Sequence, residues 1–515
     1  MNNKIINKNR IPIAVKLVLI LQVCLLLSCN VQNKIKTNKS KSENISENQL
    51  YYGINKFNTA NLLNPDSNEL KEWSMCDSIN ASSLVNGEDL SLDLRLLLET
   101  IVKVYPFSGD KNRFTELDAK NIINASIAKS STKSKVVLGE ILGELLAKWR
   151  FASGDRHFQI QGISGLSKFI NKSGWRRYLY RLDVTDNEEH AKILNSGCTW
   201  SSMSDSIYPK RVSPWLAQYD NENSGIVEAL FTVVYGDIKA NTLICGTKEI
   251  ELIPHNANDP TKKKSSLKDE KNYTFENIDG FSWIKIKSFS SRFNTELTAF
   301  VNDAKQHLKN KNIVIDLRGN GGGSNRYAYE WIKHLVKDEI ILGSAYQRYS
   351  SDVLAIRANH LIIDRIKLST GKPAGQDKNK LEKRIDKLIE QIENAPEQEM
   401  KYDGEIAVSG KASSKYNGRV IVLIDHNTAS SAENFVFALK ALPNSIIVGE
   451  PSGGFIEAGE VGVILLPRTG LLWGIPTKRF DFNVINIRTE AVGIPVDFYA
   501  PNITKKQIED LNVMQ

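Results

Sequence analysis

The sequence predicts an α/β protein built from a helical N-terminal region, a β-rich module and an α/β core. Three observations carry that expectation. Apolar residues recur at helical spacing between 88 and 149; short alternating runs broken by Gly, Asn, Asp and Ser fill 175–262; and from 281 onward apolar strands alternate with helices. With 515 residues, 41% hydrophobic and 24% charged, the chain has room for about two to four domains of ordinary globular composition. Collagen-like, wholly disordered and polytopic membrane classes are excluded.

The formal charge is +8, but residues 1–50 hold eight Lys and Arg against two Asp and Glu, which leaves +2 for the other 465 residues. A near-neutral body without a basic stripe gives nucleic acid no footprint, so none is expected as a partner.

At the N-terminus Lys4, Lys8, Arg10 and Lys16 precede an apolar run from Leu17 to Leu27, 11 residues long and short of the roughly 20 that span a bilayer. Residues 1–28 therefore read as a secretory signal. The run ends in Leu-Leu-Ser-Cys29, which resembles the bacterial lipobox and implies lipidation at Cys29 and an envelope location anchored to a membrane. Residues 29–49, rich in Asn, Lys and Ser, have too little apolar surface to offset ordering entropy and read as a flexible tether. Of five cysteines, Cys24 and Cys29 fall in this segment; Cys76, Cys198 and Cys245 allow one bridge at most and make no metal motif.

In residues 50–160, Leu90, Leu94, Leu97, Leu98, Ile101 and Val102 form one helical face stopped by Pro106. Val137 to Trp149 form another before Gly154. Residues 165–270 hold the alternating runs, ending in the polar linker Asp259–Lys271. The core spans 273–515: a strand at 281–289, a helix at 294–308, the buried strand Ile313–Leu317, the strand Arg419–Ile424 and a helix from Ser431 to Leu442. The mixed-charge stretch 352–400 interrupts it as a helical insertion, either a solvated face or a cover for the cleft.

Three motifs carry chemistry. Asp316-Leu-Arg-Gly-Asn-Gly-Gly-Gly323 follows a buried strand, and its glycines can turn amide N–H groups into one concavity suited to an oxyanion. It matches a dinucleotide fingerprint only in Gly319 and Gly321, with Ser324 in place of the third glycine, so no nicotinamide site follows. In His426-Asn-Thr-Ala-Ser-Ser-Ala-Glu433, Ser430 precedes a helix: it is either an N-cap within Ser-x-x-Glu or a nucleophile whose neighbour's N–H faces an oxyanion. In Ser153-Gly-Asp-Arg-His-Phe158, His157 sits on a turn and competes with His426, which lies four residues before Ser430 beside Asp425.

The order of these motifs, followed by Gly449-Glu450-Pro-Ser-Gly-Gly454 and Glu490-Ala-Val-Gly-Ile-Pro-Val-Asp497, resembles the tail-specific and tricorn-core family of serine peptidases over residues 88–502. The resemblance implies a ClpP/crotonase-like α/β core, an inserted PDZ-like module and a serine peptidase acting on peptides or proteins through an acyl-enzyme, without metal or cofactor. Ser430 matches the nucleophile; the N–H groups of Ser431 and of Gly321 or Gly322 match the oxyanion donors. The processing branch's dyad lysine is replaced by Phe455, which favours the tricorn-like branch, where His157 matches the base and Glu490 its orienting acid. Arg156 stands where that branch has a serine. The rival expectation is a peptide-binding envelope lipoprotein that kept the fold and lost catalysis.

Overall fold

The computed structural model describes residues 79–107, 114–170, 271–278, 280–369, 378–395, 399–412, 416–466, 468–483, 490 and 492–508, and the backbone of strands within 175–255. The signal segment, Cys29, the tether and nearly all of the linker at 259–271 lie outside the described residues.

The N-terminal region holds strands β1 (Ile79–Asn80), β2 (Leu84–Asn86) and β3 (Lys135–Val137) with helices α1 (Gly87–Val104), α2 (Glu116–Ser131) and α3 (Leu138–Ser153). Asn86 caps α1 by accepting from the N–H groups of Glu88 and Asp89, and Gly154 ends α3 in the left-handed conformation, φ 78°, that glycine adopts without strain. Leu90, Leu94, Leu97 and Ile101 are fully buried, as their spacing predicts. Helix α2 was not visible as a periodic run, because Ala119, Ile123 and Ile127 share its buried face with Ser126 and Ser130.

After α3 come β4 (Gln159–Gln161), β5 (Ile163–Ser164) and α4 (Ser167–Ile170). Next are β6 (Trp175–Arg181), β7 (Cys198–Trp200), β8 (Trp215–Asn221), β9 (Gly225–Tyr235), β10 (Thr242–Cys245), β11 (Lys248–Glu251) and β12 (Ile253–His255). Cys198 and Cys245 are register partners across β7 and β10.

The core continues with β13 (Tyr273–Ile278), β14 (Phe281–Ile286), α5 (Asn294–Asn302), α6 (Ala304–His307), β15 (Asn312–Asp316), α7 (Asn325–Ile332) and β16 (Ile340–Tyr349). The insertion forms α8 (Ser351–Ser369) and α9 (Lys378–Glu393). Then follow β17 (Glu399–Val408), β18 (Arg419–Ile424), α10 (Ser431–Lys440), β19 (Ser445–Gly449), β20 (Ala458–Leu465), β21 (Leu472–Phe482) and β22 (Phe498–Tyr499). The expected helix 294–308 is broken at Asp303, whose side chain accepts from Tyr273 Oη at 2.9 Å. Among the described residues no helix is long and apolar enough to cross a membrane.

One ten-stranded sheet runs β12-β6-β9-β8-β22-β19-β18-β15-β14-β13. Its centre, from β14 to β22, is parallel and buried on both faces, as an α/β fold requires. Ile313 and Ile315 pack beneath α5, α7 and α10 with Phe300, Trp331 and Phe435, while Val314 turns to the opposite layer with Ile421, Leu423 and Phe498. The β-rich segment joins this sheet: Phe498 and Tyr499 pair in parallel with Gln218 and Tyr219. A second, antiparallel sheet runs β17-β16-β21-β20, with β4 added to β21.

That added strand fixes the site's geometry. Phe158, fully buried, stacks on Trp149 at 3.9 Å between ring centroids and meets Trp473 of β21 at 5.0 Å. Burying such a ring contributes about 2–3 kcal/mol, so the turn just before it is firmly held. The insertion packs α8 against β20, where Gly462 leaves room for Ile356: a Cβ there would lie 1.9 Å from the Ile356 Cγ2.

Candidate active site

Three loops leave the C-terminal ends of β15, β18 and β19, the edge at which parallel sheets gather ligands and chemistry. The glycine loop after β15 is tied down by side chains. Asn320 donates to the Ile286 carbonyl at 3.0 Å and accepts from the Gly322 N–H at 3.0 Å, and Asp425 accepts from the Gly319 N–H at 2.9 Å. Gly322 has φ 94°, and a Cβ on it would meet the Ser430 Cβ at 2.8 Å and the Ser431 N at 2.9 Å, so the loop lies directly against the Ser430 turn.

Ser430 sits at the N-terminus of α10 with φ 56° and ψ −122°, a conformation that non-glycine residues rarely hold. Glu433 holds it there. This fully buried carboxyl accepts from the N–H of Ser430 at 2.7 Å, of Gly454 at 2.7 Å and of Phe455 at 2.9 Å, and from the Ser452 hydroxyl. Burial pushes its pKa up, and those four donors oppose the shift. The Ser-x-x-Glu motif is thus half a capping box: Glu433 caps the Ser430 N–H while the Ser430 hydroxyl points elsewhere.

That hydroxyl faces His157, whose Nε2 lies 3.2 Å from Ser430 Oγ. The His157 turn is set by Asp155, fully buried, whose Oδ1 accepts from the N–H groups of His157 (2.7 Å) and Phe158 (3.2 Å) and whose Oδ2 accepts from Tyr105 Oη at 3.0 Å. Burial lowers the His157 pKa, against the opposing charge of Asp155 and the Ala458 backbone, which favours the neutral ring that can accept a proton.

Glu490 completes the cluster. One donor atom each from Asp155, His157 and Glu490 lies within 4.8 Å of the others. No direct hydrogen bond joins Glu490 to the ring: Glu490 Oε2 accepts from the N–H groups of Ile456 (2.7 Å) and Glu457 (2.6 Å), while Glu490 Oε1 is buried with no hydrogen-bond partner among the described residues. The three groups are close enough for a cation, but both Asp155 oxygens are already committed to donors from Tyr105, His157 and Phe158.

The N–H groups of Ser431 and Gly321 make no hydrogen bond within the described residues, whereas that of Gly322 is taken by Asn320. His426, the competing base, is turned away: its Nδ1 lies 2.9 Å from Glu450 Oε2. Asp425 is spent on backbone N–H groups of Gly319, Asn427 and Thr428. Arg156 donates to the Gly453 carbonyl at 2.9 Å and lies over the Phe455 ring. Three residues at the site were not singled out from the sequence: Tyr105 and Asp155, and Glu433 in any role beyond the cap. Only Asp155 left a local signal, an acid two residues before the base, the spacing of an Asx turn.

Residues 281–472 match the model for peptidase family S41. The matched stretch contains the glycine loop, Ser430 and Glu433, with His157 and Glu490 outside it on either side. Solved structures similar to the chain include mature CPAF (13% identity, 80% of this chain and 92% of that one, TM-score 0.40) and the photosystem II D1 C-terminal processing protease (14%, 82% and 96%, 0.36). The tricorn protease is a third, at 12% identity over 80% of this chain and 34% of that one, with a TM-score of 0.33. No curated protein matches the chain.

Proposed function

We propose that the protein is a serine peptidase of tricorn-like type. Ser430 Oγ attacks the carbonyl carbon of a peptide bond while His157 Nε2 takes its proton, and the N–H groups of Ser431 and Gly321 receive the oxyanion. His157 then gives the proton to the departing amine, leaving an acyl-enzyme on Ser430. Water hydrolyses that ester, again with His157 as base, and returns the serine. Glu490 is the acid beside the imidazole. The S41 match supports a peptidase and the motif order supports the branch.

The observation that carries the reading is the 3.2 Å approach of His157 Nε2 to a serine hydroxyl held at a strained helix N-terminus. The Leu-Leu-Ser-Cys29 pattern supports an envelope lipoprotein anchored at Cys29, so substrates would be envelope proteins or peptides. Labelling by a serine-directed fluorophosphonate tests the reading. Wild-type protein labels and Ser430→Ala does not; a folded wild type that takes no label would instead support the non-catalytic peptide binder.

A further inference from the structure

Beyond the Ser430–His157 reading, on which this rests, the two carboxyls beside the imidazole are not equivalent. We infer that Asp155 is a positioning residue that faces His157 as a carboxylate, with Glu490 beside it as the neutral, protonated partner.

The hydrogen-bond pattern separates them. Asp155 receives three donors, two N–H groups on Oδ1 and the Tyr105 hydroxyl on Oδ2, the acceptor-only pattern that an ionised carboxyl satisfies. Glu490 receives two N–H groups on Oε2, and Oε1 is buried with no hydrogen-bond partner among the described residues. A bare carboxylate oxygen in that place is costly, whereas a protonated one carries a hydrogen to donate within the cluster. Two like charges this close do not both ionise. In keeping with this, burial, then the Asp155 charge, then the Glu457 charge push Glu490 well up; burial raises Asp155 too, but less far, because His157, Tyr105 and two N–H groups oppose it.

The other charged groups do not alter the assignment. Glu457 lies just before β20 and accepts from the Glu490 N–H at 3.3 Å. Arg156 is directed to the Gly453 carbonyl, and Glu433 is spent on its four donors. When the proton moves from Ser430 Oγ to His157 Nε2, the imidazolium meets the Asp155 charge. The proton later leaves on the amine, and neither carboxyl changes protonation.

The test compares Asp155→Asn with Glu490→Gln in the full chain, through kcat, KM and pH profile on a short peptide substrate. Asp155→Asn keeps an acceptor for the two N–H groups but removes the charge. Turnover falls about 10²-fold with KM little changed, and the acid limb of kcat/KM moves to lower pH. Glu490→Gln mimics the neutral acid, so its fall in turnover is the smaller of the two and the acid limb does not move. Tyr105→Phe removes one donor from Oδ2 without touching the turn; it lowers turnover by a smaller factor and moves the acid limb measurably, and it decides the matter where Asp155→Asn does not fold. The inference is overturned if Glu490→Gln carries the loss, if Asp155→Asn or Tyr105→Phe loses only thermal stability with an unchanged pH profile, or if both carboxyl variants fail alike and a chelator abolishes wild-type activity. Activity surviving in Ser430→Ala would instead remove the underlying reading.

Discussion

Ser430 and His157 are 273 positions apart, yet their Oγ and Nε2 atoms lie 3.2 Å from one another. Two separate supports hold them there. The histidine comes from the turn before β4, which adds to β21 through Gln159–Gly474 pairing and is pinned by Phe158 in the N-terminal core. The serine comes from the end of β18 in the central sheet and is fixed by Glu433. Both side chains are partly exposed, so a substrate can reach the pair.

Gly322 and Gly321 should respond oppositely to a methyl group. In Gly322→Ala the new Cβ would lie 2.7–2.9 Å from Ala429 O, Ser430 Cβ and Ser431 N, at φ 94°. Turnover on a short peptide should fall about 10²-fold or more, as expected when an oxyanion site is displaced. Gly321→Ala meets nothing within 4 Å and should stay within about threefold of wild type.

Glu433 predicts a joint loss of stability and rate. Glu433→Ala strands the buried N–H groups of Ser430, Gly454 and Phe455, at about 1–3 kcal/mol each, and should lower the melting temperature measurably as well as kcat. Glu433→Gln keeps one acceptor oxygen and should lie between. An alanine variant with unchanged melting and rate would show that the strained turn holds without this carboxyl.

His307 predicts acid sensitivity that has nothing to do with catalysis. Fully buried, it accepts from Trp331 Nε1 at 2.9 Å through Nδ1, so its Nε2–H faces the Tyr273 oxygen at 2.8 Å while Tyr273 donates to Asp303. Burial lowers its pKa from 6.5 to about 4. The unfolded chain therefore binds more protons between those values, so this residue's contribution is intact above about 6.5 and is lost as pH falls toward 4, by about 3 kcal/mol in all. Denaturant titrations at pH 7 and pH 4.5 should show a smaller loss on acidification in His307→Phe than in wild type; an equal loss would contradict this.

The fold class was legible because the buried faces repeat with regular periods. Leu90, Leu94, Leu97 and Ile101 mark α1, and the unbroken run Ile313–Leu317 marks a strand covered on both faces. Joining the β-rich segment to the central sheet was not legible, because the link is β22, two residues long, and its partner β8 lies some 280 positions earlier. At the site, strand-to-helix turns and glycines advertise Ser430 and its loop. Glu433 reads locally as an ordinary cap, since two of its backbone donors, Gly454 and Phe455, are 21 and 22 residues away. Asp155 looks like a turn acid until Tyr105, 50 positions before it, is seen to donate to it.

The rival histidine makes the central claim decidable. Turnover should be measured on one peptide substrate for Ser430→Ala, His157→Ala, the double variant and His426→Ala, each shown to be folded. Because serine and base act as a unit, either single change should remove nearly all of the rate and the double change little more. His426→Ala should cost little, since that ring pairs with Glu450. A folded His157→Ala protein with near wild-type turnover, or loss confined to His426→Ala, would contradict the account.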